Sequence, residues 1–146
     1  MMRTILLACF VGSVSAIVEQ SVLFAGDQAQ VVSVFTPRQA DAGRAAIEKH
    51  CASCHMPDLT GNNDAPALAG ANFTTTWRRR TTKDLFDYIV GAMPPGGASL
   101  SAEQYASIVA RILQANGAAP GLESFSPSTA VSLGGVIPIG SAGSHE

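Results

Sequence analysis

Five consecutive residues, Cys51-Ala52-Ser53-Cys54-His55, place two thiols three positions apart and an imidazole directly after the second. Two thiols at this spacing can reach the two vinyl groups on one porphyrin edge, while the next residue turns its ring under the iron. In an exported chain the pentad therefore reads as a c-type haem attachment site. Three other readings compete. Zinc would need a second ligand pair, and only Cys9, His50 and His145 remain. A thioredoxin-like redox pair would follow a strand in a βαβ setting. A plain disulfide leaves His55 without a role. Haem attachment is the reading that uses all three residues.

The flanking composition suits an exported single domain. The chain has 146 residues, 47% of them hydrophobic, so one core is expected and global disorder is not. A formal charge of −2 gives no bias toward nucleic acid or anionic lipid. Charged residues are 14%, against about 25% in typical soluble proteins. The charge-poor parts are the two ends. Residues 1–16 carry Arg3, a short apolar run containing Cys9, and the small-residue site Val14-Ser15-Ala16, the pattern of a secretory signal. Cleavage after Ala16 is expected, with residues 1–25 as the alternative. Val22 to Ala25 prolongs the apolar character, so an uncleaved membrane anchor stays open. Residues 17–36 read as an N-terminal arm, and residues 118–146, rich in Gly, Ser and Pro, as a flexible tail that includes His145. The folded unit is placed at residues 37–117.

Within that unit three helices are predicted and no segment alternates like a strand, which makes the domain all-α. The first starts at Thr36-Pro37 and runs to about Cys51, with Gly43, Ile47 and Cys51 on one face. A second opens at the Thr81-Thr82-Lys83-Asp84 capping box and carries Leu85, Phe86, Ile89 and Val90 until Gly91 and Pro94 end it. The third has Ser101 and Gln104 as a capping box and Leu100 as a staple for Tyr105. Ile108, Val109, Ile112 and Leu113 continue its stripe, and Asn116-Gly117 stops it.

If His55 is one axial ligand, the sixth position needs a second donor. Met1 and Met2 fall in the signal, and Met56, adjacent to His55, cannot reach the opposite face of the ring. That leaves Met93, in Gly91-Ala92-Met93-Pro94-Pro95-Gly96-Gly97, where prolines stiffen and glycines permit an irregular loop. The competing reading of Met93 is core filler. His50 reads as an exposed histidine at a helix end.

Taken together, Gly43-x-x-x-Ile47-x-x-x-Cys51-Ala-Ser-Cys54-His55, Pro66-Ala67-Leu68-Ala69-Gly70, Met93 to Gly96 and the Leu100-Ser101 helix start make the chain similar to the class I c-type cytochromes, in the small mono-haem bacterial branch. The resemblance implies one covalent haem c with its iron, and a fold whose N- and C-terminal helices cross, Gly43 giving way to an aromatic taken as Tyr105. It implies that the Pro66 carbonyl accepts from His55 Nδ1 and that Leu68 belongs to the haem surround. Trp77 or an arginine such as Arg78 would donate to a propionate; a solvated face or a partner-docking patch are the other uses of the Arg78-Arg79-Arg80 run.

With His55 and Met93 as axial ligands, the expected function is periplasmic one-electron transfer, linking a dehydrogenase or quinol-oxidising complex to an acceptor, and not catalysis. Redox proteins are then the partners, nucleic acid is not, and a membrane enters only through an uncleaved N-terminus. The alternative is a haem enzyme or sensor, a peroxidase or a gas binder, with a displaceable distal ligand.

Overall fold

A computed structural model describes residues 32–96 and 100–138. The expected signal, Cys9, most of the N-terminal arm and His145 lie outside the described residues.

The described chain is helical. Helix α1, Pro37–His50, begins where Thr36 accepts a hydrogen bond from the Gln39 amide, with proline in the first turn where no donor is needed. It buries Ala40, Gly43 and Ile47. A four-residue turn of helix, α2, Ala52–His55, follows. Helix α4, Thr82–Ala92, and helix α5, Ala102–Ala115, each start with a complete capping box, Thr81 with Asp84 and Ser101 with Gln104. These three longer helices stand where the capping residues and apolar spacing put them. The remaining two, α3 at Ala71–Trp77 and α6 at Leu133–Val136, are short.

Helix α3 carried no readable signal because its Thr74-Thr75-Thr76 run has low helix propensity. The run is accommodated by back-bonding: Thr74 and Thr76 hydroxyls donate to the Gly70 and Asn72 carbonyls at 3.0 and 2.9 Å. No strand forms among the described residues; Thr81 and Ser132 make an isolated antiparallel bridge.

Helix α5 organises the core. Tyr105, Ala106, Ile108, Val109, Ala110, Ile112 and Leu113 are all buried, a face broad enough to pack on α1 and on α4. Each large side chain among them contributes about 1.5–3 kcal/mol by leaving water. The α1–α5 crossing is close because Gly43 has no Cβ. A Cβ there would overlap the Ser107 carbonyl and come within 2.9 Å of Arg111 Cβ. The glycine notch is thus filled by the α5 backbone. The expected aromatic partner, Tyr105, is not among its nearest neighbours; it is buried elsewhere on the same helix.

The C-terminal boundary needs correction. Residues 118–138, expected as part of a flexible tail, are packed onto the helices. Ala118, Phe125, Leu133, Val136 and Ile137 are buried. The Phe125 backbone exchanges two 2.8 Å hydrogen bonds with the Gln39 side chain, and the Phe125 ring meets Phe86 at 6.2 Å. Thr82, fully buried, donates its hydroxyl to the Thr129 carbonyl at 2.6 Å and accepts from the Val131 amide. The amides of Leu133 and Gly134 donate to the Arg80 and Arg78 carbonyls. Few apolar residues at irregular spacing anchor this strap, and backbone pairing supplies the rest, which composition does not reveal. At the other end, Val34 and Phe35 of the expected arm are also buried, and Gly121 donates to the Phe35 carbonyl at 2.7 Å.

Candidate functional site

Helix α1 delivers the pentad. Cys51 caps it, its amide donating to the Ile47 carbonyl at 2.8 Å, and the His55 amide then bonds back to the Cys51 carbonyl at 2.9 Å. Both cysteines are free thiols, Cys51 half-buried and Cys54 exposed. Burial pushes the Cys51 thiol above its ordinary pKa. His55 is buried.

Past His55 the chain turns sharply, with Met56 and Leu59 both at φ 64°. A series of backbone hydrogen bonds, Gly61 to His55, Asn62 to Ala65 and Leu68 to Leu59, folds residues 56–68 back toward the imidazole. Gly61 sits at φ 71°, and a Cβ on it would lie 2.5 Å from the Ala65 carbonyl oxygen and 2.6 Å from Pro66 C. Only glycine fits there. The Asn62 carboxamide oxygen accepts from the Asp64 and Ala65 amides and closes the turn.

The product of this loop is a contact of 2.8 Å between His55 Nδ1 and the Pro66 carbonyl oxygen. A carbonyl only accepts, so Nδ1 carries the proton. Nε2 is then the lone-pair nitrogen, and it makes no hydrogen bond among the described residues. A buried imidazole fixed in this tautomer by a backbone carbonyl has the form of a metal ligand.

Asn116 supports the loop from α5. It is buried, accepts from the Gly70 amide at 3.0 Å, and donates to the Leu68 and Ile112 carbonyls at 2.9 and 2.8 Å. Leu68 packs half-buried against the core. Sequence reasoning took Asn116 as a helix stop only; the signal available was an Asn in an apolar helix end, which also needs partners when buried.

Met93 caps the C-terminus of α4, its amide donating to Ile89 at 2.9 Å, and its side chain packs half-buried against the core. Its carbonyl accepts the Tyr105 hydroxyl at 2.8 Å. Trp77 is central to an aromatic cluster: Phe73 stacks at 6.1 Å, Tyr88 meets it edge-on at 5.3 Å, and the Arg80 guanidinium lies 5.0 Å over its ring. Its Nε1–H makes no hydrogen bond among the described residues. Arg78 is exposed, and its carbonyl rather than its guanidinium is engaged, by Gly134. Of the basic run, Arg80 is the one placed against Trp77. His50, half-buried at the end of α1, lines a shallow groove with Ala46, Lys49 and Glu103.

These residues fit an iron porphyrin by their donor set: two free thiols on one turn, a buried imidazole with its far nitrogen unengaged, and a thioether. They do not fit a zinc site or a thioredoxin-like redox pair. Among the described residues no cluster of three or more His, Cys, Asp or Glu exists to hold zinc, and a helix rather than a strand precedes the pentad.

An all-α domain with crossing terminal helices and this pentad is a c-type cytochrome. The family described as cytochrome c oxidase, cbb3-type, subunit III, matches residues 38–111, just over half of the chain, and the chain belongs to that family. Membership implies a covalently bound haem c with its iron, and Cys51 and Cys54 fit the C-x-x-C-H attachment motif. Among solved structures the chain is similar to the sulfane dehydrogenase SoxCD from Paracoccus pantotrophus, at 22% identity and a TM-score of 0.47. That alignment covers 75% of this chain and 60% of the other. No curated protein matches the sequence.

Proposed function

We propose that this protein is an exported one-electron carrier whose haem c is joined to Cys51 and Cys54 and whose iron is held between His55 Nε2 and the Met93 thioether. The haem, when bound, supplies reversible one-electron chemistry between ferric and ferrous iron. The observation that carries the reading is the 2.8 Å contact between His55 Nδ1 and the Pro66 carbonyl, which leaves Nε2 free to ligate. Met93 is supported as the second ligand by elimination among the methionines and by its fixed backbone at the end of α4. With a protein donor on each side, no position is left for substrate.

Trp77, whose indole N–H makes no hydrogen bond among the described residues, and the exposed Arg78 are the proposed propionate donors, and Leu68 the apolar wall of the haem surround. Signal cleavage after Ala16 and a periplasmic location follow from the N-terminal pattern. No described helix is long and apolar enough to cross a membrane. The exchange partners are redox proteins, with a dehydrogenase or a quinol-oxidising complex as donor.

Extraction with acidified organic solvent, followed by redox titration, tests the reading. The haem is expected to stay with the polypeptide and to titrate as one electron. Free extraction of the haem would refute attachment at Cys51 and Cys54.

A further inference from the structure

Met93 is held by its backbone from two helices. Its N–H belongs to α4, through Ile89. Its carbonyl, which as a helix-terminal acceptor has no partner within α4, receives the Tyr105 hydroxyl of α5 at 2.8 Å. Tyr105 is only 5% exposed, so this hydroxyl would lie unpaired in the core without that carbonyl.

The position of Tyr105 is itself over-determined. It falls on the first turns of α5, behind the Ser101–Gln104 capping box, and Leu100 packs against the same core. Two residues further on, Ser107 meets Gly43 at the tight α1–α5 crossing. Helix α1 carries the cysteine pentad at its other end. The helix pair that sets the His55 side of the site therefore also reaches the Met93 side, and Tyr105 is where it does so.

We infer that Tyr105 is the positioning residue for the Met93 ligand: its hydroxyl fixes the Met93 carbonyl and so keeps the thioether over the iron. The inference rests on the proposed His55/Met93 ligation. With its N–H and its carbonyl both held, the Met93 backbone leaves the thioether only side-chain rotation as a way off the iron, and a shift of that backbone lengthens the hydrogen bond from Tyr105. The bond therefore opposes the open, ligand-free state. An external ligand binds only that state, so its apparent affinity scales with the open fraction.

The test uses full-length holoprotein and imidazole as the external ligand of ferric haem. Tyr105→Phe keeps the ring in the core and removes only the donor. It is expected to retain covalent haem and the sulfur-to-iron charge-transfer band, and to bind imidazole about fivefold more tightly than wild type, the change that one neutral hydrogen bond of about 1 kcal/mol supplies. A lowered unfolding midpoint with unchanged imidazole affinity would show a purely structural tyrosine and overturn the inference.

A second arm works where Tyr105→Phe does not fold. The chain has two tyrosines. In a Tyr88→Phe background, global 3-fluorotyrosine labels Tyr105 alone and makes it a stronger donor in a ring altered by a single fluorine. Imidazole binding should then weaken relative to unlabelled Tyr88→Phe; unchanged or tighter binding overturns the inference. Absence of the charge-transfer band from wild type itself would instead remove the ligation reading, and the inference with it, before any variant is compared.

Discussion

The Nδ1–H of His55 points at the carbonyl oxygen of Pro66, 2.8 Å away, across a loop that only a glycine at position 61 can close. The His55 imidazole is thereby oriented by the backbone conformation of residues 56–68, a loop that the Asn62 and Asn116 side chains brace. Gly61→Ala is expected to strain the loop by about 1–3 kcal/mol and to loosen the imidazole. Denaturant unfolding of the holoprotein should show the loss, and added imidazole should displace protein ligands more readily.

Asn116→Ala leaves the Gly70 amide and the Leu68 carbonyl without their buried partner. The expected cost is about 1–3 kcal/mol. Asn116→Asp should be no better, because a carboxylate keeps the acceptor but loses the donor to Leu68 and Ile112. Thermal unfolding of both variants checks this.

The C-terminal strap gives a test in which composition and structure disagree. A flexible tail can be removed without consequence, whereas truncation after Gly117 uncovers Thr82 and the Phe86 ring face that meets Phe125. Truncation is expected to lower the unfolding midpoint clearly. Thr82→Val, which deletes the hydroxyl between Thr129 and Val131 but keeps the shape, should reproduce part of that loss, about 1–3 kcal/mol. Truncated and full-length proteins of equal stability would restore the tail reading.

Hydrogen bonds from the Thr81 amide and hydroxyl hold the Asp84 carboxyl below the usual carboxylate range. A carboxylate depressed on folding stabilises the native state above its unfolded pKa, and that contribution is lost as pH falls through the folded value. Asp84→Asn should therefore be less stable than wild type at neutral pH. The gap should begin to narrow at about pH 4, where the unfolded-state carboxyl starts to protonate, and close as pH falls through the lower folded value. Parallel stability curves across that range would contradict the assignment.

How much could be read in advance depended on whether a feature was local. The Thr36-Pro37 start, the two capping boxes and the Tyr105-to-Leu113 stripe are signals within a few residues of one another, and the helices stand where they put them. The pentad is local too, and its His55–Pro66 contact followed from the family resemblance and not from spacing. Long-range pairings were not legible: Thr82 with Thr129, Gln39 with Phe125 and Asn116 with Leu68 join positions 47, 86 and 48 residues apart. Gly43 was correctly marked as a close-approach site, but its nearest neighbours are the Ser107 carbonyl and Arg111 Cβ, because two helices that touch through a glycine meet backbone first. Arg80 rather than Arg78 covers Trp77, a choice among three adjacent arginines that depends on how the chain leaves α3.

The ferric absorption spectrum of the purified wild-type protein, recorded beside Met93→Ala, tests the account most directly. Ligation by His55 and Met93 gives wild type the weak long-wavelength sulfur-to-iron charge-transfer band and a ferrous form that takes up carbon monoxide poorly. Met93→Ala should lose the band, bind carbon monoxide readily and have a lower potential, since the soft sulfur favours ferrous iron. A wild-type protein without the band, whose ferrous form binds carbon monoxide as readily as Met93→Ala does, would contradict the electron-carrier account.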